Sequence, residues 1–374
     1  MNLTLRSYFK FSISFFSALF SIALACCSCQ TQKSVYVDFS KKDFEQVALQ
    51  SKDYVDNWVK VKLETTSDCL LAPHYQIYPC NDFIIAYGDN RILQFAYSGE
   101  FMKTIVMPGN GPNETNNLIE CIVNGAGTKL YWTEFNPNYI HTFDLVNGEP
   151  ATDIPIYARK TLKAIRLIND TTLLCFPYMG NTPQTCYRQN PDGDLLEQSS
   201  VIFQEAEGPY IANPLNIFSF KDEWFYRGHY EDTVYNALSK SAFGVFKRGG
   251  IDTKNPIGQN QVLLSGIFYT DDNYILSRTQ YDIRAVDESV YEMYIVERRY
   301  FLFDYSGLRA FEIESFSFAP LDRQYEQEDM VSFLDKISSL NREKIVVNFP
   351  AEDFGHSPYE NPVLFIGDIK TIAK

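Results

Sequence analysis

The chain has 374 residues, 45% of them apolar, with 33 basic residues against 47 acidic ones and a formal charge of −14. An acidic surface of this kind repels nucleic acid and anionic lipid headgroups, which argues against a nucleic-acid partner. The length exceeds one ordinary domain but suits a small sheet repeated into one closed ring, and 25 Tyr with 29 Phe suit sheets stacked face to face.

Residues 1–25 read as an export signal. Arg6 and Lys10 lead into the apolar run FSISFFSALFSIALA, which is too short for a comfortable membrane span. The run ends in Ala23-Leu24-Ala25-Cys26-Cys27-Ser28-Cys29, small residues before a cysteine that resemble a bacterial lipobox. That resemblance implies lipid attachment at Cys26. Cys29 is the alternative, because the Leu usual three places before the modified cysteine is missing for Cys26. An ordinary cleaved secretory signal is the plainer reading. Without Arg6 and Lys10 the chain keeps 31 basic residues against 47 acidic ones, a charge of −16. Residues 26–53 are expected to be a tether, polar at first (QTQKS) and then partly ordered, with one short helical turn. No acidic residues directly follow the anchoring cysteine, so the periplasmic face of the outer membrane is expected rather than the cell surface.

From Tyr54 to Lys374 the pattern is that of an all-β domain. The stretch from Val59 to Thr133 opens it with short apolar runs separated by the polar turns Gly88-Asp89-Asn90, Ser98-Gly99-Glu100 and Asn124-Gly125-Ala126-Gly127. Short runs cut by such turns mark consecutive antiparallel strands. The pattern recurs at about 117–157, 162–203, 215–248 and 263–314, a spacing that fits a four-stranded propeller blade. Turns recur too: 144–148, 190–193 and 304–307 each follow the third strand of their unit, where a hairpin requires positive φ. Met330, Phe333, Leu334 and Ile337 have helical spacing within Tyr325–Leu340, which predicts a short helical insertion in the sixth unit. The runs KIVVNFP and NPVLFIGDIKTI are two last strands, and Val59–Glu64 is their natural partner in closing the ring. The expected fold is therefore a six-bladed β-propeller of four-stranded antiparallel blades.

The mature domain contains five cysteines, Cys69, Cys80, Cys121, Cys175 and Cys186. An odd number leaves at least one unpaired within the domain, while Cys175 and Cys186 flank a strand–turn–strand and are candidates for a bridge. Neither these cysteines nor the isolated His74, His141, His229 and His356 have the spacing of a zinc site, and no metal or cofactor is expected.

Four stretches together resemble the six-bladed β-propeller lipoproteins of Bacteroidetes, a largely uncharacterised family akin to NHL-repeat and TolB-like propellers. One is the strand Lys62-Leu63-Glu64-Thr65-Thr66. The second is the hairpin Ile92–Phe95 followed by Gly99-Glu100-Phe101, with the loop Gly109-Asn110-Gly111-Pro112-Asn113-Glu114 after it. The third and fourth are the strands Asp232-Thr233-Val234-Tyr235 and Asn361-Pro362-Val363-Leu364. The hairpin departs from the family pattern, with Ala96-Tyr97-Ser98 where an Asp or Asn commonly precedes the Gly. The resemblance implies the fold and an envelope location and assigns no activity.

Two loops are candidates for ligand binding. Gly109, Gly111, Pro112 and Glu114 form a glycine-containing loop able to expose backbone N–H groups, although it lacks the Gly-Lys-Ser/Thr ending of a phosphate loop. Asp232 and Thr233 are candidates for the central channel. In each case the plainer alternative is a crossover or turn that shapes the ring. Trp132, Tyr139, Trp224, Tyr226, Tyr230 and Tyr281 are aromatic candidates for stacking on a ligand, or else inter-blade core. No nucleophile motif is present, and the carboxylate pairs Glu231-Asp232, Asp271-Asp272 and Glu352-Asp353 are sequence neighbours, unlike the facing pair of a glycosidase. The expected function is a non-enzymatic binding module for a glycan, a peptide or an envelope protein, held to the membrane by its N-terminal lipid. The alternative is a lyase or hydrolase acting on polysaccharide at the channel, and a purely structural lipoprotein is a third possibility.

Overall fold

The computed structural model describes residues 35–370, apart from 72–74, 112, 136–137, 158–160, 178–185, 200–214, 221–222, 229–231, 238, 240, 250–259, 271, 286–290, 335 and 339–342. Cys26, Cys29, Pro112, His74, His229 and Tyr230 lie outside the described residues.

Local turn chemistry sets up the blades. Asp89 (φ 48°) and Asn90 (φ 60°) turn the strand Phe83–Gly88 back into Arg91–Ala96. Short polar side chains tolerate this left-handed region, and two such residues match the twist of a hairpin. Blade one consists of those strands with Gln76–Pro79 before and Phe101–Val106 after them. Blades two to five begin with the strands Leu118–Val123, Leu162–Asn169, Leu215–Phe220 and Asn260–Tyr269. Blade six contains Ile337–Ser338, Lys344–Phe349 and Val363–Ile369. The six sheets form a six-bladed β-propeller, as the repeat spacing predicts.

The central strands of a blade are covered on both faces by its neighbours. Four consecutive residues are therefore buried in each of Phe83–Gly88, Arg91–Ala96 and Lys129–Glu134, apolar throughout in the first and broken only by Gln94 and Thr133 in the other two. The peripheral strand Leu195–Gln198 alternates instead. The core is correspondingly divided among the gaps between blades. Ile77, Ile84 and Phe95 of blade one meet Val346, Leu364 and Ile366 of blade six. Phe218 of blade four stacks on Tyr274 of blade five, ring centroids 4.3 Å apart. All five domain cysteines are buried and unbridged, so Cys175 and Cys186 do not form a disulfide.

The N-terminal segment closes the ring and does more besides. Val55–Lys62 pairs antiparallel with Val363–Ile369, Lys62 opposite Val363 and Val61 opposite Leu364, as the expected closure requires. Before that, Val35–Asp38 adds to the outer strand of blade four, and Gln46–Gln50 runs parallel to the outer strand of blade five, Arg309–Phe318. Residues 35–50, within the stretch expected to be a partly ordered tether, thus form an arm along the rim, followed by the helical turn Ser51–Tyr54. Phe39 fastens the arm: its fully buried ring lies 5.5 Å from Phe246 of blade four and 5.0 Å from Phe301 of blade five. Arg299 is the second fastening. It donates from Nε and Nη2 to the two oxygens of Glu312, both at 2.6 Å, and from Nη1 to the Lys41 carbonyl at 2.8 Å.

The helix near the C-terminus is shorter than its apolar spacing suggests, spanning Gln327–Leu334. Tyr325 belongs instead to Arg323–Glu326, which extends the blade-five sheet, and Ile337 begins blade six. Met330, Phe333 and Leu334 are buried between blades five and six.

The turns at 144, 190 and 304 share one device: an Asp or Asn oxygen accepts two backbone N–H groups just beyond it. Asp144 serves Val146 and Asn147, Asn190 serves Asp192 and Asp194, and Asp304 serves Ser306 and Gly307. Burial works against the charge of Asp304, but the Ser306 hydroxyl and the Gly307 and Ser306 N–H groups outweigh it and hold the carboxyl below its ordinary 3.8. A depressed folded pKa contributes stability that is complete above the unfolded value and lost as the pH falls through the folded one. Asp304→Asn keeps the acceptor but not the titration. Its melting temperature is expected to fall less than that of the parent when melts above and well below pH 3.8 are compared.

Candidate ligand pocket at the channel mouth

Antiparallel pairing sorts the connections of each blade onto two faces. Turns from first to second strand and from third to fourth open on one face. Turns from second to third strand, and the crossovers between blades, open on the other. On the first face lies a cavity of about 180 Å³ to which five blades contribute. Tyr78, Cys80 and Asn81 come from blade one; Val123, Asn124, Gly125 and Gly127 from blade two; Arg166 and Leu167 from blade three. Trp224 of blade four and Glu343 of blade six also line it. Residues from so many blades meet only around the axis, so this cavity is the mouth of the central channel.

Its electrostatics centre on a cross-blade pair. Arg166 Nη1 donates to Glu120 Oε1 at 2.7 Å and to the Ile165 carbonyl at 2.5 Å, and the guanidinium carbon lies 5.5 Å from the Trp224 ring centroid. Glu120 Oε2 accepts the Ile165 N–H at 2.6 Å, tying the first strand of blade two to that of blade three. Burial opposes the charge on Arg166, but the Glu120 carboxylate more than offsets it and the net shift is upward. Lys163 is lowered by burial, with Glu120 opposing. Tyr78 donates to the Val123 carbonyl at 3.1 Å, fixing one wall. Burial, with the Asp82 charge, pushes the Cys80 thiol far above its ordinary value, so this pocket residue is a small apolar surface at neutral pH rather than a nucleophile. A fixed cation, an indole, amide groups and a rim acid are the means to hold a small polar ligand.

The residues singled out from sequence lie elsewhere. Gly109, Gly111 and Glu114 belong to the crossover from blade one to blade two, on the opposite face. There Glu114 Oε2 accepts the Gly111 N–H at 2.7 Å, and the Thr115 N–H donates to the Met107 carbonyl at 2.9 Å. A Cβ on Gly109 would lie 2.0 Å from Glu114 Oε2, so glycine leaves room for this internal tie. Asp232 and Thr233 stand at the start of the third strand of blade four, two strands out from the axis, and Asp232 Oδ1 accepts Arg248 Nε at 2.7 Å. The structure brings neither group together with the other or with the pocket. Among the aromatic candidates, Trp224 lines the pocket, Trp132 and Tyr226 are core, Tyr139 is exposed on blade two, and Tyr281 is half-buried in blade five. Trp132 stacks on His141, which lies 2.9 Å from Asp153. Among the described residues, no cluster of three or more metal-ligating side chains occurs.

Sequence reasoning missed Glu120 and Arg166. Their signal was present in NLIECIV and LKAIRLI, where charged residues (Glu120 in one, Lys163 and Arg166 in the other) interrupt the first strands of two successive blades.

A model for a domain of unknown function, DUF4934, matches residues 35–367. The chain belongs to the DUF4934 family. No match is found among curated proteins. Among solved structures, this DUF4934 chain is similar to a protein of Bacteroides fragilis designated as exported. That match has 12% identity and a TM-score of 0.60, covering 87% of this chain and 100% of the other. It is also similar to a member of the DUF4221 family from Bacteroides vulgatus, with 10% identity and a TM-score of 0.50, covering 84% of this chain and 97% of the other. At such identities the likeness shows the fold that these DUF4934 and DUF4221 proteins share.

Proposed function

We propose that this DUF4934 protein is a binding module of the bacterial envelope that takes a glycan, a peptide or an envelope protein at the channel mouth. Anchoring by lipid at Cys26, or at Cys29, to the periplasmic face of the outer membrane belongs to the same proposal, as does kinship with NHL-repeat and TolB-like propellers. The lipobox-like end of the signal and the exported Bacteroides relative support the location. One observation carries the function: five blades converge on a cavity whose guanidinium is held in place by Glu120 and faces an indole. Arrangements of this kind orient a ligand without supplying a nucleophile.

A thermal-shift screen of the purified protein against glycans, peptides and metal ions tests the proposal. A ligand at a hundredfold excess over its dissociation constant is expected to stabilise the fold by about 2.7 kcal/mol. A hit that is recovered intact supports a binding module. A hit that is cleaved makes the protein an enzyme, and silence across the panel, with no partner captured from envelope extracts, removes the function.

A further inference from the structure

We infer that the pocket recognises a carboxylate carried by a small polar group, an inference that rests on the channel mouth being the binding site. Glu120 takes only one end of Arg166, through Nη1, which also serves the Ile165 carbonyl. Among the described residues, no acceptor meets Arg166 Nε or Nη2, and the side chain keeps 18% of its surface exposed where it lines the cavity. The Nε–Nη2 edge of a guanidinium is a two-donor fork that matches the two oxygens of a carboxylate, and charge-assisted pairs of this kind are about twice as strong as neutral ones.

Glu120 is itself already satisfied, since it accepts Arg166 Nη1 and the Ile165 N–H and its charge is felt by Lys163. The overall charge of −14 does not defeat an anionic ligand at this point. Exposed charges beyond about 8 Å are screened at physiological ionic strength, whereas a hydrogen-bonded contact in a recess is not. A cavity of about 180 Å³ admits one ring or one residue rather than a long chain. Asn81 at the rim offers an amide to hydroxyl or amide groups beside the carboxylate.

The same chemistry has two sources, a uronic acid residue of a glycan and the C-terminal carboxylate of a peptide. Titration calorimetry on the full protein with glucuronic acid, its methyl ester, glucose and N-acetylglycine separates them. Glucuronic acid binding alone assigns a glycan, and N-acetylglycine binding alone a peptide end. For whichever acid binds, Arg166→Lys keeps a cation beside Glu120 but lacks the planar fork, so affinity is expected to fall at least tenfold in a protein whose melting curve still shows it folded at the temperature of the titration. An ester or neutral sugar that binds as tightly as the acid overturns the inference while leaving the binding module intact. Equal affinity in Arg166→Lys, or no binding by either acid, also overturns it. The wider function fails only if the broad screen is silent as well.

Discussion

Asn361→Ala is expected to lower the stability of the protein by about 2–4 kcal/mol. The buried Cys69 carbonyl and the part-buried Leu71 N–H and Glu64 carbonyl lose a partner at roughly 1–3 kcal/mol each, with relief from water and, for Glu64, from the Cys69 thiol. Asn361 is 1% exposed and meets the stretch that follows the closing strand. Its Oδ1 accepts the Leu71 N–H at 2.8 Å, and its Nδ2 donates to the Glu64 and Cys69 carbonyls at 2.6 and 2.9 Å. The neighbouring motifs are fastened to the same place. The Glu64 N–H donates to the Gly99 carbonyl at 2.8 Å, and Glu64 Oε2 accepts the Phe101 N–H at 2.9 Å. Gly99 has φ +91°, and a Cβ there would stand 1.8 Å from the Lys62 carbonyl oxygen. Three of the motifs that carry the family resemblance therefore form one latch, at the join between Val55–Lys62 and Val363–Ile369. Urea unfolding measures the loss, and an unchanged m-value would show that the native and denatured states keep their extent. Asn361→Asp is expected to be no milder, because its second oxygen would face two carbonyls. A loss below about 1 kcal/mol would mean that the latch is ornamental.

Arg299→Ala is expected to cost about 3–5 kcal/mol, the usual penalty for stranding one charge of a buried pair. The two side chains are only 12% and 10% exposed, and the guanidinium also lies 5.1 Å from the Phe301 ring and 5.7 Å from the Phe44 ring. Loss of Arg299 removes the donor to the Lys41 carbonyl as well, so hydrogen exchange along residues 36–50 is expected to quicken before the rest of the domain responds. The double variant Arg299→Met/Glu312→Leu should recover most of the stability, because apolar residues of similar volume often replace a buried pair without loss. If the double variant recovers stability but exchange along the arm stays fast, the carbonyl contact is what holds the arm.

Much of this fold is written in local chemistry. Asp89 and Asn90 specify their hairpin by tolerance of positive φ, and Asp144, Asn190 and Asp304 mark the same turn in three blades. The closing strand was legible because a ring must close and the last apolar runs need a partner strand, which Val55–Lys62 supplies. The arm was not. VYVD and QVALQ are short, and their pairing depends on outer strands two hundred or more residues away, so nothing near them in sequence sets their register. Helical spacing in Tyr325–Leu340 ran past the true ends because blade five takes Tyr325 and blade six takes Ile337 as strand residues. The pocket was hardest to see. Each of its charges looks like a solvated interruption of a strand, and only the ring brings Glu120 and Arg166, 46 positions apart, into one ion pair.

The most direct test of the binding site is hydrogen–deuterium exchange of the protein with and without the strongest hit from the glycan and peptide screen. Protection is expected at the blade-one and blade-two turns around Asn81 and Asn124–Gly127 and at Arg166-Leu167, with no change at Gly109–Glu114 on the opposite face. Protection confined to Gly109–Glu114 or to Asp232-Thr233, with the channel mouth unchanged, would contradict the account.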